Sequence, residues 1–375
     1  MIKRQVEELV KEFLQSDKAI IVIGARQVGK STLLKTIFSE TKNVLWLNGD
    51  EVDVRNLIGN ISSTRLSSII GDNKYVIIDE AQRIQDIGLI LKIIKDNMPS
   101  VKLIVTGSSS FQLANNINEP LTGRKFEIKM FPLSYAEMVK HNGLLAENRM
   151  LPERLVYGYY PDVINNPLMG RDILGSLSDS YLYKDILAFE RVSKPQVLVK
   201  LLQALALQVG SQVSYKELGD TVGVDMKTAE RYIQLLEKCY VIFFLSSFSR
   251  NHRNELKKSK KIYFYDNGIR NAVIGNFSPI ETRPGTELGM LWENFIISER
   301  IKKKSYERLW GYSWFWRTSQ QQEIDYIEEI DGKISAFEFK WNPRAKVRIP
   351  LSFRNAYPNA DFKVITPNNI EEFLL

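Results

Sequence analysis

The feature that most restricts what this chain can become lies near its start, where the apolar run Ala19-Ile20-Ile21-Val22-Ile23 leads directly into Gly24-Ala25-Arg26-Gln27-Val28-Gly29-Lys30-Ser31. A short apolar run closed by glycine predicts a strand buried on both faces, as in parallel sheets covered by helices. The residues after it fit G-x-x-x-x-G-K-[ST] at every fixed position. The glycines let the backbone curl until successive N–H groups point inward, and a helix expected over 31–38 adds the positive end of its dipole. A polyphosphate held there would meet the Lys30 ammonium at its β- and γ-phosphates, and the Ser31 hydroxyl would ligate magnesium. The four fixed positions arise by chance in about one random chain in a hundred of this length. The flanking strand and helix lower that further. Gly24, Ala25, Arg26, Gln27, Val28, Gly29, Lys30, Ser31 and Thr32 are therefore the expected nucleotide cradle.

Apolar runs at 44–47, 75–78 and 102–105 and a candidate strand at 126–130 alternate with segments of helical spacing such as 87–97. This predicts an α/β domain with a mostly parallel sheet. The run Val76-Ile77-Ile78 ends in Asp79-Glu80, at what would be the carboxyl edge of the sheet, where such folds bind ligands. Two acids after a strand usually just open a solvated loop. Paired with the phosphate loop, they predict Asp79 as the magnesium ligand and Glu80 as the group that orients or deprotonates the attacking water. Glu80 suits water better than an acceptor hydroxyl, which disfavours a metabolic kinase. A third run ends in Thr106-Gly107-Ser108-Ser109-Ser110, where a hydroxyl, with Ser108 the choice, would bond the γ-phosphate or the water. Positive charge for the transition state is expected from Arg26, Arg83 or Arg124, with Arg124 the catalytic candidate.

Residues 24–32, 75–84 with Asp79-Glu80-Ala81-Gln82-Arg83, 106–109, 121–124 and Phe131-Pro132-Leu133-Ser134 together resemble a large prokaryotic group of AAA-type ATPases. Its members join this domain to a C-terminal domain of unknown function similar to a winged helix plus a restriction-endonuclease-like fold. The resemblance spans essentially the whole chain, including Tyr159-Tyr160-Pro161 and Tyr263-Phe264-Tyr265-Asp266. It implies an AAA-like ATPase with an added glutamate strand, using ATP and Mg2+.

Beyond residue 134 the pattern turns helical, and from 194 it gives short helices near 215–222 and 226–239, an apolar strand at 241–245, a basic loop and a strand at 262–265. Two helices at a tight turn followed by a hairpin predict a winged helix-turn-helix. Lys227, Arg231 and the loop residues Arg250, His252, Arg253, Lys257, Lys258, Lys260 and Lys261 would neutralise backbone phosphates of DNA, against the plainer reading of a solvated wing. In the last segment Glu293 falls on a helix, Asp325 on a strand, and Glu338-Phe339-Lys340 on the next strand. Their order resembles the PD-(D/E)XK nuclease superfamily, in which such carboxylates hold magnesium on a scissile phosphate and the lysine acts on water. Ile324 stands where that motif has proline, and E-x-K arises often by chance on edge strands. Trp310, Tyr312, Trp314, Phe315 and Trp316 would stack bases or, as period-two aromatics on a strand more often do, form core.

A chain of 375 residues is too long for one ordinary core. The expected divisions are a P-loop ATPase domain at 1–133, a helical appendage at 134–193, a winged helix at 194–285 and a mixed α/β nuclease-like domain at 286–375. One cysteine, Cys239, and two histidines exclude an internal disulfide and disfavour a zinc centre. The charged start and the lack of a long apolar stretch predict a cytoplasmic protein with no membrane partner. Expected partners are ATP, DNA, and a second copy or another protein. The competing expectation is a nucleotide-gated protein-interaction switch with an inactive nuclease-like scaffold.

Overall fold

The computed structural model describes residues 2–59, 61–107, 121–189, 195–248 and 259–375, with backbone alone at 180–189. The chain divides into two compact units, Met1–Pro132 with Lys238–Tyr240, and Leu133–Glu237 with Val241–Leu375.

The first unit is built on five strands, β1 (Ala19–Ile23), β2 (Val44–Asn48), β3 (Tyr75–Asp79), β4 (Lys102–Gly107) and β5 (Lys125–Lys129). They pair in the order β2-β3-β4-β1-β5, all parallel. The central strand β1 is buried along its whole length, which is why its sequence is a continuous apolar run rather than an alternating one. The helix Ile87–Asn97 buries Ile87, Ile90, Leu91 and Ile94, the i, i+3, i+4, i+7 stripe of a helix lying on a sheet. The helix Val6–Phe13 buries Val6 and Val10 and stacks Phe13 on Phe126 of β5 at 4.2 Å. Because β1 runs out to β2 at the sheet's far edge, the loop leaving β1 at Gly24 is flanked by the ends of β4 and β5. The fit there is tight. Met130 N donates to Ile23 O at 2.7 Å, and a Cβ on Gly24 would lie 1.9 Å from Met130 O. The first glycine of the motif is thus required by the neighbouring backbone as well as by the loop's curvature.

The second unit carries β6 (Gln212–Val213), β7 (Ile242–Ser247), β8 (Lys260–Phe264), β9 (Gly311–Arg317), β10 (Glu323–Ile330), β11 (Lys333–Phe339) and β12 (Asp361–Ile365). They form one sheet in the order β12-β11-β10-β9-β7-β8-β6. Strands from 194–285 and from 286–375 therefore share a sheet, joined where β7 runs parallel to β9 at Ser246 opposite Trp314. The helices Pro195–Leu207, Tyr215–Val222 and Met226–Lys238 precede β7, and the helix Gly285–Tyr306 precedes β9. Trp314 and Trp316 are buried with Phe248, Ile324, Ile327 and Phe353, and Phe315 is fully buried. These three rings are core, not base-stacking surface, and of the aromatic series only Trp310 and Tyr312 are exposed.

The two tyrosine motifs meet at a buried carboxylate. Asp266 accepts from Tyr159 N at 2.7 Å and caps the helix Asn267–Val273 through Ile269 N at 3.2 Å. Gly158, at φ +68, brings its Cα so close that a Cβ would lie 2.0 Å from Asp266 Oδ1. Gly158→Ala is expected to destabilise this unit by about 3 kcal/mol or more, since strain and a clash with a buried charge act together. Gly175→Ala, in a helix with open space around the added methyl, should be neutral or mildly stabilising. Urea unfolding midpoints of the two variants check the contrast, and equal midpoints would refute it.

Candidate functional site

The phosphate-loop motif lies at the carboxyl edge of the first unit's sheet, between β1 and the helix Lys30–Ile37, whose N-cap is Gly29. Lys30 is buried. Its ammonium donates to Gly24 O at 3.1 Å and Ala25 O at 2.7 Å, so it is held across the mouth of the curled loop by the loop's own carbonyls. Asp79 ends β3 and is also buried. Glu80 follows it in the left-handed region at φ 50 and accepts from Gln82 Nε2 at 2.5 Å.

Thr106, at the end of β4 and fully buried, joins these two acids. Its hydroxyl donates to Asp79 Oδ1 and accepts from Glu80 N, the latter at 3.1 Å. The hydroxyl that holds the acid pair is therefore Thr106, whereas Ser108 lies outside the described residues. A register count could have found it, because β3 and β4 pair from Tyr75 opposite Lys102 to Ile78 opposite Val105, which places Asp79 next to Thr106.

A second brace was also missed. Arg4, just before the first helix, donates through one guanidinium nitrogen to Val28 O at 2.6 Å and through the other to Phe131 O at 2.7 Å. It ties the crest of the loop to the exit of β5, and an arginine in a charged N-terminal stretch carries no local signal of that role.

The arginines separate. Arg83 stands at the loop edge, paired with Asp50 at 2.6 Å. Arg124 corrects the expectation made for it. Arg124 immediately precedes β5, its carbonyl accepting from Ala19 N, and it pairs with Asp96 at 3.1 Å. The five-residue strand β1 separates Ala19 from the loop, about 16 Å at the usual strand rise. In its own chain Arg124 is thus at the wrong end of the sheet to meet a γ-phosphate.

Ser31 and Asp79 offer only oxygen to a cation, as a hard ion such as magnesium requires, and Asp79 is fixed in place by Thr106.

The second unit holds an acidic cluster of its own. Lys340 Nζ lies 2.7 Å from Glu338 Oε2 and 3.3 Å from Asp325 Oδ2, and Asp325 Oδ2 also accepts from Phe339 N at 2.9 Å. Asp325, Glu338 and Lys340 are thus brought into contact. Glu293 instead accepts from Tyr263 Oη at 2.7 Å and Lys261 Nζ at 3.1 Å. Burial pushes the Glu293 carboxyl up to about 7, with Lys261 opposing and Asp325 adding to the rise. Burial and then the Asp325 charge push Glu338 up to about 7 as well, against the pull of Lys340. Among the described residues no group of three or more His, Cys, Asp or Glu is placed to hold a metal ion.

Lys261 overturns its assignment to the DNA-facing loop, for it is 3% exposed and pairs with Glu293 and Glu323. Lys260 is exposed beside Phe244, while Arg250, His252, Arg253, Lys257 and Lys258 lie outside the described residues. Lys227 and Arg231 are exposed on the helix Met226–Lys238. Among the described residues no helix is long and apolar enough to cross a membrane.

Residues 16–139 match the family described as AAA domain, residues 148–279 a domain of unknown function (DUF8612), and residues 288–372 another (DUF4143). An uncharacterized protein of Haemophilus influenzae is 26% identical over 377 residues, covering 91% of this chain and 88% of its own. An uncharacterized protein of Mycobacterium tuberculosis is 25% identical over 341 residues, covering 90% and 74%. The Walker-type ATPase PABY2304 of Pyrococcus abyssi superposes with a TM-score of 0.52 at 16% identity, covering 73% of this chain and 96% of that one. Residues 16–139 thus match an AAA domain and share the fold of a Walker-type P-loop ATPase, and two regions matching domains of unknown function follow.

Proposed function

We propose that the chain binds and hydrolyses Mg-ATP and uses the cycle to switch a C-terminal unit that holds DNA. The observation that carries the hydrolytic half is the Asp79–Thr106–Glu80 arrangement beside the Gly24–Ser31 loop. Lys30 and the loop N–H groups bind the phosphates, Ser31 and Asp79 would hold magnesium, and Glu80 orients and deprotonates water. The bound ion would neutralise phosphate charge. Thr106 keeps Asp79 aimed and fixes the Glu80 backbone, so the acceptor is preorganised before the substrate arrives.

The DNA half rests on the order helix, β6, helix, helix, β7, β8, which is that of a winged helix. Lys227, Arg231, Gln234 and Lys238 form an exposed stripe along its third helix. The test is an ATPase assay with and without duplex DNA, with binding measured across salt. Stimulation by DNA and a binding constant that falls steeply with salt are expected. Replacing Lys227 and Arg231 by glutamine should flatten the salt slope by about 2 and weaken binding roughly uniformly across sequences. Salt-independent binding, or none, would favour the second reading, a nucleotide-gated protein-docking switch. That reading draws on the exposed Trp310 and Tyr312 and on the loss of Lys261 from the basic surface. Cleavage is not part of the proposal, because Lys261, which the nuclease motif does not include, already engages Glu293, one of the carboxylates it would need.

A further inference from the structure

Gathered carboxylates need a counter-charge, and a divalent cation is one solution. Glu293 of the helix Gly285–Tyr306 and Glu323 of β10 share the Lys261 ammonium, Asp325 of β10 and Glu338 of β11 share Lys340, and the Asp325 charge acts on Glu293, Glu338 and Lys261. In this chain the counter-charge comes from a different strand. Lys261 is placed by the ladders of β8 with both neighbours, opposite Leu245 of β7 and Gln212 of β6. Its ammonium lies 2.5 Å from Glu323 Oε1 and 3.1 Å from Glu293 Oε1, and 5.5 Å from the centre of the Phe315 ring.

Three features fix this lysine as a resident cation. It is buried, so it does not exchange freely with solvent ions. Burial works against its charge, but Glu293, Glu323 and Asp325 together outweigh that and hold its pKa above the ordinary lysine value. It also has company: Lys340 bridges Glu338 and Asp325, and Arg317 reaches Glu323 at 3.4 Å. The four acids therefore face three cations of the chain itself. A magnesium ion would need about six oxygens at about 2.1 Å in near-octahedral array. Glu293 Oε1 already faces Lys261 and the Tyr263 hydroxyl, Glu323 faces Lys261 and Arg317, Asp325 Oδ2 faces Lys340 and Phe339 N, and Glu338 Oε2 faces Lys340. A divalent ion does not fit this set.

We propose that Lys261 occupies the place a divalent cation would take, so that the acidic cluster is closed to metal and the second unit lacks metal-dependent nuclease chemistry. The inference concerns that unit alone and stands independently of nucleotide hydrolysis and of DNA binding.

Manganese titration of the full-length, nucleotide-free chain, followed by electron paramagnetic resonance, tests it. Wild type and Asp325→Asn should bind manganese alike, because neither offers a site in the cluster. Lys261→Met, which keeps the stem and removes the charge, should bind one manganese equivalent more than wild type. Adding Asp325→Asn to Lys261→Met should abolish the gain, and Lys261→Arg should stay closed. A wild-type site removed by Asp325→Asn would overturn the proposal, as would a Lys261→Met chain that is folded by circular dichroism yet gains nothing. If Lys261→Met does not fold, the wild-type and Asp325→Asn pair still decides. A parallel readout uses supercoiled plasmid with magnesium or manganese, which wild type should leave intact; nicking abolished by Lys340→Ala would equally overturn it.

Discussion

Lys30→Ala is expected to bring ATP hydrolysis below detection and to weaken ATP binding by about a hundredfold or more. The side chain supplies a buried cation already gathered over the curled loop by Gly24 O and Ala25 O. With a polyphosphate in the loop it exchanges those neutral acceptors for charged ones, a contact of roughly 3 kcal/mol or more in a water-poor site, which is about two powers of ten in affinity. Alanine removes this contact and leaves the backbone cradle in place, so residual weak binding should survive while turnover does not. Lys30→Arg should not rescue, because the larger planar guanidinium cannot occupy the volume of a compact ammonium. Fluorescent nucleotide titration and a phosphate-release assay check both arms. Affinity within a few-fold of wild type would mean that the nucleotide binds elsewhere.

The first unit was legible because its signals are local. The buried strand β1 announces itself as five apolar residues, and the loop's fixed positions follow within the next eight. Thr106 was hidden among its neighbours, since several hydroxyls follow Val105 and only the parallel register with β3 selects the one beside Asp79. Arg124 was misplaced for a related reason. It precedes a strand parallel to β1, and that direction alone puts it at the amino edge, away from the loop.

The second unit was less legible because its key contacts join distant stretches. Lys261 ends a basic run and reads as solvated, and nothing within thirty residues says that Glu293 and Glu323 will enclose it. The first unit has one such contact as well, between Arg4 and Phe131, which are separated by 127 positions. The aromatics of β9 alternate in sequence, yet Trp314, Phe315 and Trp316 are all buried, because this strand lies between β10 and β7 with both faces covered near its end.

Glu80→Gln should separate binding from chemistry. Glutamine keeps the length of the side chain and can still accept from Gln82 Nε2, the partner that holds Glu80 at 2.5 Å. The backbone bond from residue 80 N to Thr106 Oγ1 is untouched, and the left-handed turn is no obstacle, since Gln27 already adopts φ 55 in this chain. Asp79 and Ser31 remain to hold the ion, so the affinity for Mg-ATP should stay within about threefold of wild type. What disappears is the ability to take a proton from water, a contribution of about a hundredfold to ten-thousandfold in comparable acid–base catalysis. The expected signature is therefore a fall in kcat of that size with KM nearly unchanged, and accumulation of unhydrolysed nucleotide on the protein. Asp79→Asn should instead lose both, because it weakens the hold on the ion and the anchor for Thr106. Gln82→Ala should lower kcat only modestly, as it frees the orientation of Glu80 without removing its basicity. If Glu80→Gln turns over near the wild-type rate while Asp79→Asn does not, water is activated by another group and Glu80 serves only to shape the turn after β3.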